Sequence, residues 1–111
     1  MIGMMCRGLL IAALCAAAAG NVLAQSYPSR PVKIIVGFGP GGLGDIVTRT
    51  VGQKLAEAMG QSFVIENMPG AGGITAAATV AKAAPDGHTM LLISGQNATA
   101  PLVFKSLPFD P

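Results

Sequence analysis

The sequence predicts an α/β protein whose strands form a parallel sheet, with the elements in the order βαβαβα. Three segments, at 32–38, 62–67 and 89–94, have the length and the apolar content of strands. A segment that favours helix follows each of them, and the connections are short and rich in glycine or proline. Strands that alternate with helices in this way lie parallel and are joined by right-handed crossovers.

The first 24 residues have the pattern of a secretory signal peptide. Arg7 supplies a positive charge, residues 8–19 form a short apolar core, and residues 22–24 end in the small-x-small style of a cleavage site. The apolar core is shorter than the roughly 20 residues that a membrane-spanning helix needs. We therefore predict cleavage after Ala24, no stable membrane insertion afterwards, and a periplasmic location if the source is a Gram-negative bacterium.

The composition argues against several functions. Lysine and arginine are scattered singly, 11% of the residues are charged and the net charge is +2, which does not indicate a nucleic-acid partner. Both cysteines, Cys6 and Cys15, lie in the predicted signal peptide, so the mature chain is predicted to have no disulfide and no thiolate metal site. His88 is the only histidine, and it has the position of a strand-end residue. We predict no catalytic residue, no metal and no cofactor, and hence a protein that is not an enzyme.

The helix after the first strand is predicted over residues 45–59. Apolar residues recur at every fourth position, and this is typical of a helix with one buried face. Gly60 is predicted to end the helix. The apolar stripe consists of Ile46, Val47, Val51, Leu55 and Met59.

The second half of the chain repeats the alternation. A turn is predicted at 85–87, because proline presets φ for a turn and glycine adopts the unusual φ that follows. The second helix is rich in alanine, which would let it lie close to a sheet. The predicted elements are a strand at 62–67, a helix at 75–84, a strand at 89–94, a loop at 95–99 and a short helix at 100–106.

Two glycine-rich segments lead from the first two strands into the helices that follow them, at 39–44 and 69–73. A turn of this kind aims several backbone N–H groups and the positive end of the helix dipole at one point. Either segment alone is more typical of a tight turn than of a binding loop. Two of them in tandem predict a site for an anion.

A dinucleotide site is the alternative interpretation of the first segment. Gly37, Gly39 and Gly42 satisfy G-x-G-x-x-G, and Glu66 lies where a ribose-binding acid would be expected, as in a Rossmann-type oxidoreductase. Pro40 stiffens the turn, and an exported protein meets little NAD. The motif also leaves the second glycine-rich segment unexplained. A P-loop is excluded, because no Gly-Lys-Ser/Thr follows the glycines.

Several longer motifs resemble those of one known family. They are YPSRPVKIIVGF, PGG at 40–42 with Asp45 three residues on, ENMPGAGG, VAKAAPDGHTMLL and LPFDP. In this order and spacing, the chain from Tyr27 to Pro111 resembles the start of the tripartite tricarboxylate transporter substrate-binding proteins, the Bug-type extracytoplasmic receptors. The resemblance implies a periplasmic-binding-protein-like fold of type II, a two-domain Venus flytrap. It also implies a small carboxylated solute as ligand and membrane transporter subunits as partners.

The chain departs from the family pattern in three respects. Gly37 and Gly39 stand where relatives usually have proline or another residue, Met68 replaces a common arginine, and Ile74 replaces a frequent asparagine. The chain is also about a third as long as the full receptors of the family. We expect residues 25–111 to be the N-terminal part of the first domain, without the second domain, and to bind no solute tightly. A truncated remnant that binds nothing is the remaining alternative.

The resemblance and the geometry of parallel sheets both place the glycine-rich segments at the carboxyl ends of adjacent strands, where ligands of open α/β folds bind. Backbone N–H groups of residues 41–43 and 72–74 would hold a carboxylate without an arginine. The predicted ligand-binding residues are Phe38, Gly41, Gly42, Leu43, Asp45, Gly72, Gly73, Ile74 and Ser94.

Asp45 has two alternative roles within this set. It is predicted to cap the first helix and to brace the loop, because an acid beside an anion site would repel a carboxylate ligand. Alternatively, its carboxylate accepts a hydrogen bond from an amino or hydroxyl group of the ligand. The predicted ligand is therefore a carboxylate or an amino-acid-like solute.

Overall fold

The computed structural model describes residues 26–110. Its three strands are β1 (Val32–Val36), β2 (Phe63–Asn67) and β3 (Thr89–Leu92). They form one sheet in the order β2-β1-β3, and both pairings are parallel. The predicted α/β class is confirmed, and the predicted signal peptide at 1–24 lies outside the described residues.

The central strand β1 carries most of the core. Val32 and Val36 are fully buried and Ile35 is 2% exposed, since β1 has a neighbouring strand on each side. The edge strands are only half-buried. The prediction of a buried third strand is therefore wrong: Met90 is 36% exposed, and Ile93, beyond the end of β3, is 72% exposed.

The first helix, α1 (Leu43–Met59), begins two residues earlier than predicted, and Gly42 is its N-cap residue. At its other end, Gly60 adopts the left-handed conformation with φ 68° and donates its N–H to the carbonyl of Ala56 at 3.0 Å. This confirms the predicted end of the helix. Glycine is favoured there because it has no Cβ to clash at positive φ.

The face of α1 that meets the sheet is not the predicted one. Thr48 and Gly52 are buried there, and a Cβ on Gly52 would lie only 2.9 Å from Cδ1 of Ile65. The missing side chain lets the helix backbone approach β2, and this close approach turns the apolar stripe outward. Four of its members are 39–55% exposed: Ile46, Val47, Val51 and Met59.

The second helix, α2 (Ile74–Ala81), follows a single 3₁₀ turn at Ala71–Gly73. In the register of the sheet, alternate residues of each strand point to opposite faces. Gly52 of α1 contacts Ile65 on one face, whereas α2 and Leu91 line a groove on the other. The sheet is thus covered by one helix on each face, as right-handed crossovers in opposite directions require.

The third helix, α3 (Gly95–Val103), begins five residues earlier than predicted. The expected loop at 95–99 is wrong, because the Asn97 side chain reaches back to Ser94. Oδ1 of Asn97 accepts from the Ser94 N–H at 3.1 Å and from the Ser94 hydroxyl at 3.0 Å. These bonds fix the first turn.

None of the helices within residues 26–110 has the length and apolar character needed to cross a membrane.

Candidate functional site

Three connections leave the carboxyl edge of the sheet side by side. We call residues 37–42, which follow β1, the first glycine loop, and residues 68–73, which follow β2, the second glycine loop. The ladder between β1 and β2 continues into the second loop, because Met68 donates its N–H to the carbonyl of Val36 at 2.8 Å. The third connection runs from β3 into α3 through Ser94.

The two glycine loops touch each other. A Cβ built on Gly37 would lie 2.8 Å from Cα of Gly73, so only glycine fits at position 37 without displacing backbone. Gly73 in turn accepts a hydrogen bond at its carbonyl from Nδ2 of Asn97 at 3.3 Å. All three connections therefore meet around Gly73, and this contact assembles the candidate site.

The first glycine loop is held by a buried carboxylate. Asp45 is 4% exposed. Its Oδ2 accepts from the N–H of Gly41 at 2.9 Å and from Nε of Arg49 at 3.1 Å. Its Oδ1 accepts from Nδ2 of Asn67 at 2.9 Å and lies 3.0 Å from Nη2 of Arg49. The guanidinium therefore binds Asp45 in a bidentate manner, which is the strong geometry for such a pair.

These contacts set the charge state of Asp45. The hydrogen bond from Arg49 is the largest cause, followed by those from the Gly41 N–H and from Asn67, and together they lower the pKa of Asp45 from 3.8 to about 2. The carboxylate is thus ionised at neutral pH. The prediction that Asp45 caps α1 is wrong, because Gly42 is the N-cap residue. The prediction that Asp45 braces the loop agrees with its bond to Gly41.

Arg49 and Asn67 were not predicted to belong to the site. Asn67 bridges the edge: its Nδ2 also donates to the carbonyl of Phe38 at 3.1 Å, and its Oδ1 accepts from Nη2 of Arg49 at 2.9 Å. The spacing of Asp45 and Arg49, four residues apart on a helix, is a signal that could have indicated their pairing. The part played by Asn67 depends on the pairing of β1 with β2, which local sequence does not show.

The second glycine loop is shaped by its backbone. Positive φ angles occur at Gly70 (151°), Ala71 (45°), Gly72 (64°) and Gly73 (85°), and such angles favour glycine. The Gly73 N–H donates to the carbonyl of Gly70 at 2.9 Å. The N–H of Ile74 donates to the carbonyl of Ala71.

The N–H groups at the edge differ in their availability. The N–H groups of Gly41, Gly73 and Ile74 already bond within the protein. Within residues 26–110, the N–H groups of Gly42, Leu43 and Gly72 have no acceptor among the hydrogen bonds of the loops. All three residues are exposed, Leu43 by 80%. They are therefore the predicted donors that remain available to a ligand.

All nine predicted residues lie at this edge of the sheet, between 38 and 45, at 72–74 and at 94. Ser94 uses its hydroxyl on Asn97 at the start of α3. Which of the nine contact a ligand stays a prediction. His88 lies at the opposite edge, before β3, where its ring packs edge-on against Tyr27 with 5.1 Å between centroids. In the part of the chain that the structure describes, no three His, Cys, Asp or Glu side chains form a metal-binding group.

A comparison with family models gives one match. The model described as "Tripartite tricarboxylate transporter family receptor" matches residues 47–111, more than half of the chain. The chain belongs to this family. The predicted membership is confirmed, and the match favours the receptor over the dinucleotide-binding interpretation of the glycine motif. Its solved relatives include proteins described as binding proteins and transporters.

Relatives extend the match toward the N-terminus. A UPF0065 protein of Bordetella pertussis is 50% identical over 93 residues, which are 83% of this chain and 29% of the relative. The solved structure of R. palustris Rpa4515 with adipate has a TM-score of 0.72 at 41% identity, covering 77% of this chain and 29% of that one. The periplasmic binding protein BugD has a TM-score of 0.56 at 42% identity, and the match covers 59% of this chain and 22% of BugD. The chain thus spans less than a third of the length of these relatives.

Proposed function

We propose that this chain is part of an extracytoplasmic receptor that holds one carboxylate of a small solute between the two glycine loops. The observation that carries the proposal is the contact between Gly37 and Gly73. It brings the first glycine loop, which leads into α1, against the turn at Ala71–Gly73. The N–H groups of Leu43 and Gly72 therefore belong to connections at the same edge of the sheet.

The electrostatics of this edge suit an anion. The 17 residues of α1 place the positive end of their dipole at Leu43. The nearest carboxylate, that of Asp45, is matched by the guanidinium of Arg49, which removes most of its repulsion. A carboxylate that accepts from exposed N–H groups gains charge-assisted hydrogen bonds, which are stronger than neutral ones.

The location and partners belong to the same proposal. A relative described as a periplasmic binding protein and the signal-like pattern of residues 1–24 support a periplasmic receptor. The family description supports delivery of the solute to membrane transporter subunits. The adipate in the Rpa4515 structure and the malate in the structure of MatC from Rhodopseudomonas palustris support a dicarboxylate of four to six carbons as a first choice of ligand.

A titration followed by NMR tests the proposal. Adipate and succinate are added to the isotope-labelled protein, and the amide signals of Leu43 and Gly72 are followed. Because both groups are exposed and only a few hydrogen bonds form, we expect a Kd of about 1 mM or weaker. Both signals should shift with the same Kd, whereas the amide of Gly87 at the opposite edge should not move.

A neutral ligand and a nucleotide serve as controls. Succinamide has the size of succinate without its charge, and we expect it to cause no saturable shift. Equal shifts with succinamide and succinate would show that charge is not recognised and would contradict the proposal. Saturable binding of NAD without a response to carboxylates would instead favour a dinucleotide site at Gly37–Gly42.

A further inference from the structure

We infer that Asp45 is a positioning residue with no acceptor capacity left for a ligand, so that the first glycine loop selects carboxylates that carry no ammonium group. This inference rests on the proposed function and adds the ligand class to it. It also separates the two roles that the sequence leaves open for Asp45.

The acceptor capacity of Asp45 is filled by the protein. An ionised carboxylate has about four lone-pair sites. Oδ2 accepts from Gly41 and from Nε of Arg49, and Oδ1 is within reach of Asn67 and of Nη2 of Arg49, all at 2.9–3.1 Å. A ligand that approaches Asp45 would have to replace one of these partners, and replacing Gly41 or Asn67 would loosen the first glycine loop.

The surroundings oppose a cation as well. The guanidinium of Arg49 lies against Asp45 and Asn67, and the start of α1 adds the positive end of a helix dipole. The acid of the neighbouring strand, Glu66, is paired with Lys33 at 2.8 Å on the opposite face of the sheet. An ammonium group at the first glycine loop would lose hydration without gaining an ionised partner.

Three ligands with the same four-carbon skeleton test the inference. Succinate, malate and aspartate differ at one carbon, which carries hydrogen, hydroxyl or ammonium. We expect succinate and malate to shift the amides of Leu43 and Gly72 with similar Kd values, and aspartate to bind about tenfold more weakly. Malate controls for the size of the substituent. Aspartate binding as tightly as succinate, or more tightly, would overturn the inference.

A variant distinguishes positioning from contact. If Asp45 only holds the loop, Asp45→Asn should weaken the binding of succinate and of aspartate by the same factor, since both ligands need the Leu43 N–H in place. If Asp45 bound the ammonium group, the variant would weaken the binding of aspartate alone. That result would also overturn the inference. Arg49→Lys keeps the positive charge but loses the bidentate contact with Asp45. It should therefore weaken the binding of both ligands equally, as Asp45→Asn does.

The matched control is Asp86→Asn. Asp86 is also a carboxylate with a lowered pKa, mainly through the N–H of His88, but it lies at the opposite edge and should leave all three affinities unchanged. Unaltered amide signals of β1 show that a variant is folded. If none of the three ligands moves the Leu43 and Gly72 signals in the unaltered protein, the proposed function itself fails. That outcome is distinct from binding in which aspartate is preferred.

Discussion

The two glycine loops end adjacent parallel strands and lead into helices, yet they are stabilised by different means. The first loop is held by side chains: Asp45 and Asn67 bond to its backbone and to each other, and Arg49 bonds to both of these side chains. The second loop is held by its own backbone, through positive φ angles and the bond from Gly73 to Gly70.

This difference predicts how each loop fails. The geometry of the first loop depends on charge, because the Asp45 carboxylate and the Arg49 guanidinium stabilise it. The geometry of the second loop depends on the absence of side chains, because a Cβ is strained at the φ angles of Gly72 and Gly73. The first should respond to pH and to polar substitutions, and the second to any substitution of glycine.

The largest effect is expected where the loops meet. Gly37→Val places a branched side chain where even a Cβ lies 2.8 Å from Cα of Gly73, and both elements at the contact are backbone that cannot rotate away. We expect the free energy of unfolding to fall by about 3 kcal/mol, the upper part of the usual range for overpacking. Urea unfolding measures it.

Gly39→Val is the control for this variant. A Cβ on Gly39 has no atom within 4 Å, and the residue precedes Pro40, where an extended backbone is favoured. Its free energy of unfolding should change by less than about 0.5 kcal/mol. Equal losses in the two variants would show that β-branching, and not the loop contact, is responsible.

A smaller loss is expected from breaking the second loop alone. Gly73→Ala strains a residue with φ 85° and brings its Cβ to 3.3 Å from Nδ2 of Asn97. The left-handed conformation costs alanine about 1–2 kcal/mol, and urea unfolding should show a loss of that size. Gly95→Ala, where a Cβ has nothing within 4 Å, should be neutral or stabilising. A neutral Gly73→Ala would mean that the backbone does not hold this loop.

The smallest effect is expected in the first loop, and it depends on pH. Because the pKa of Asp45 is lowered from 3.8 to about 2 in the folded protein, its ionised form contributes stability above pH 4 that is lost as the pH falls through 2. Asp45→Asn should therefore be less stable than the unaltered protein at neutral pH. Thermal unfolding at several pH values should show this difference shrinking below pH 4. A difference that stays constant down to pH 2 would exclude the charge of Asp45 as its cause.

The order of strands and helices could be predicted because apolar runs and glycine turns are local signals. The buried face of α1 could not, because a small residue, Gly52, decides it by letting the backbone approach the sheet. The start of α3 could not be predicted from apolar periodicity, because it depends on a hydrogen bond between two polar residues, Ser94 and Asn97. The hydrogen bond that supports the first loop joins Asp45 on α1 to Asn67 at the end of β2. This contact exists only once the strands are paired.

The middle position of β1 also determines the order of events as the sheet forms. β1 is synthesised first, but Val32 pairs with Phe63 and Lys33 pairs with Thr89, so neither side can be covered until long loops have closed. Pairing between distant segments is slow. The apolar segment Val32–Val36 therefore keeps both edges open until these distant segments have paired with it. The strand that is most buried in the finished fold is thus the one that is fully covered only when both later strands are in place.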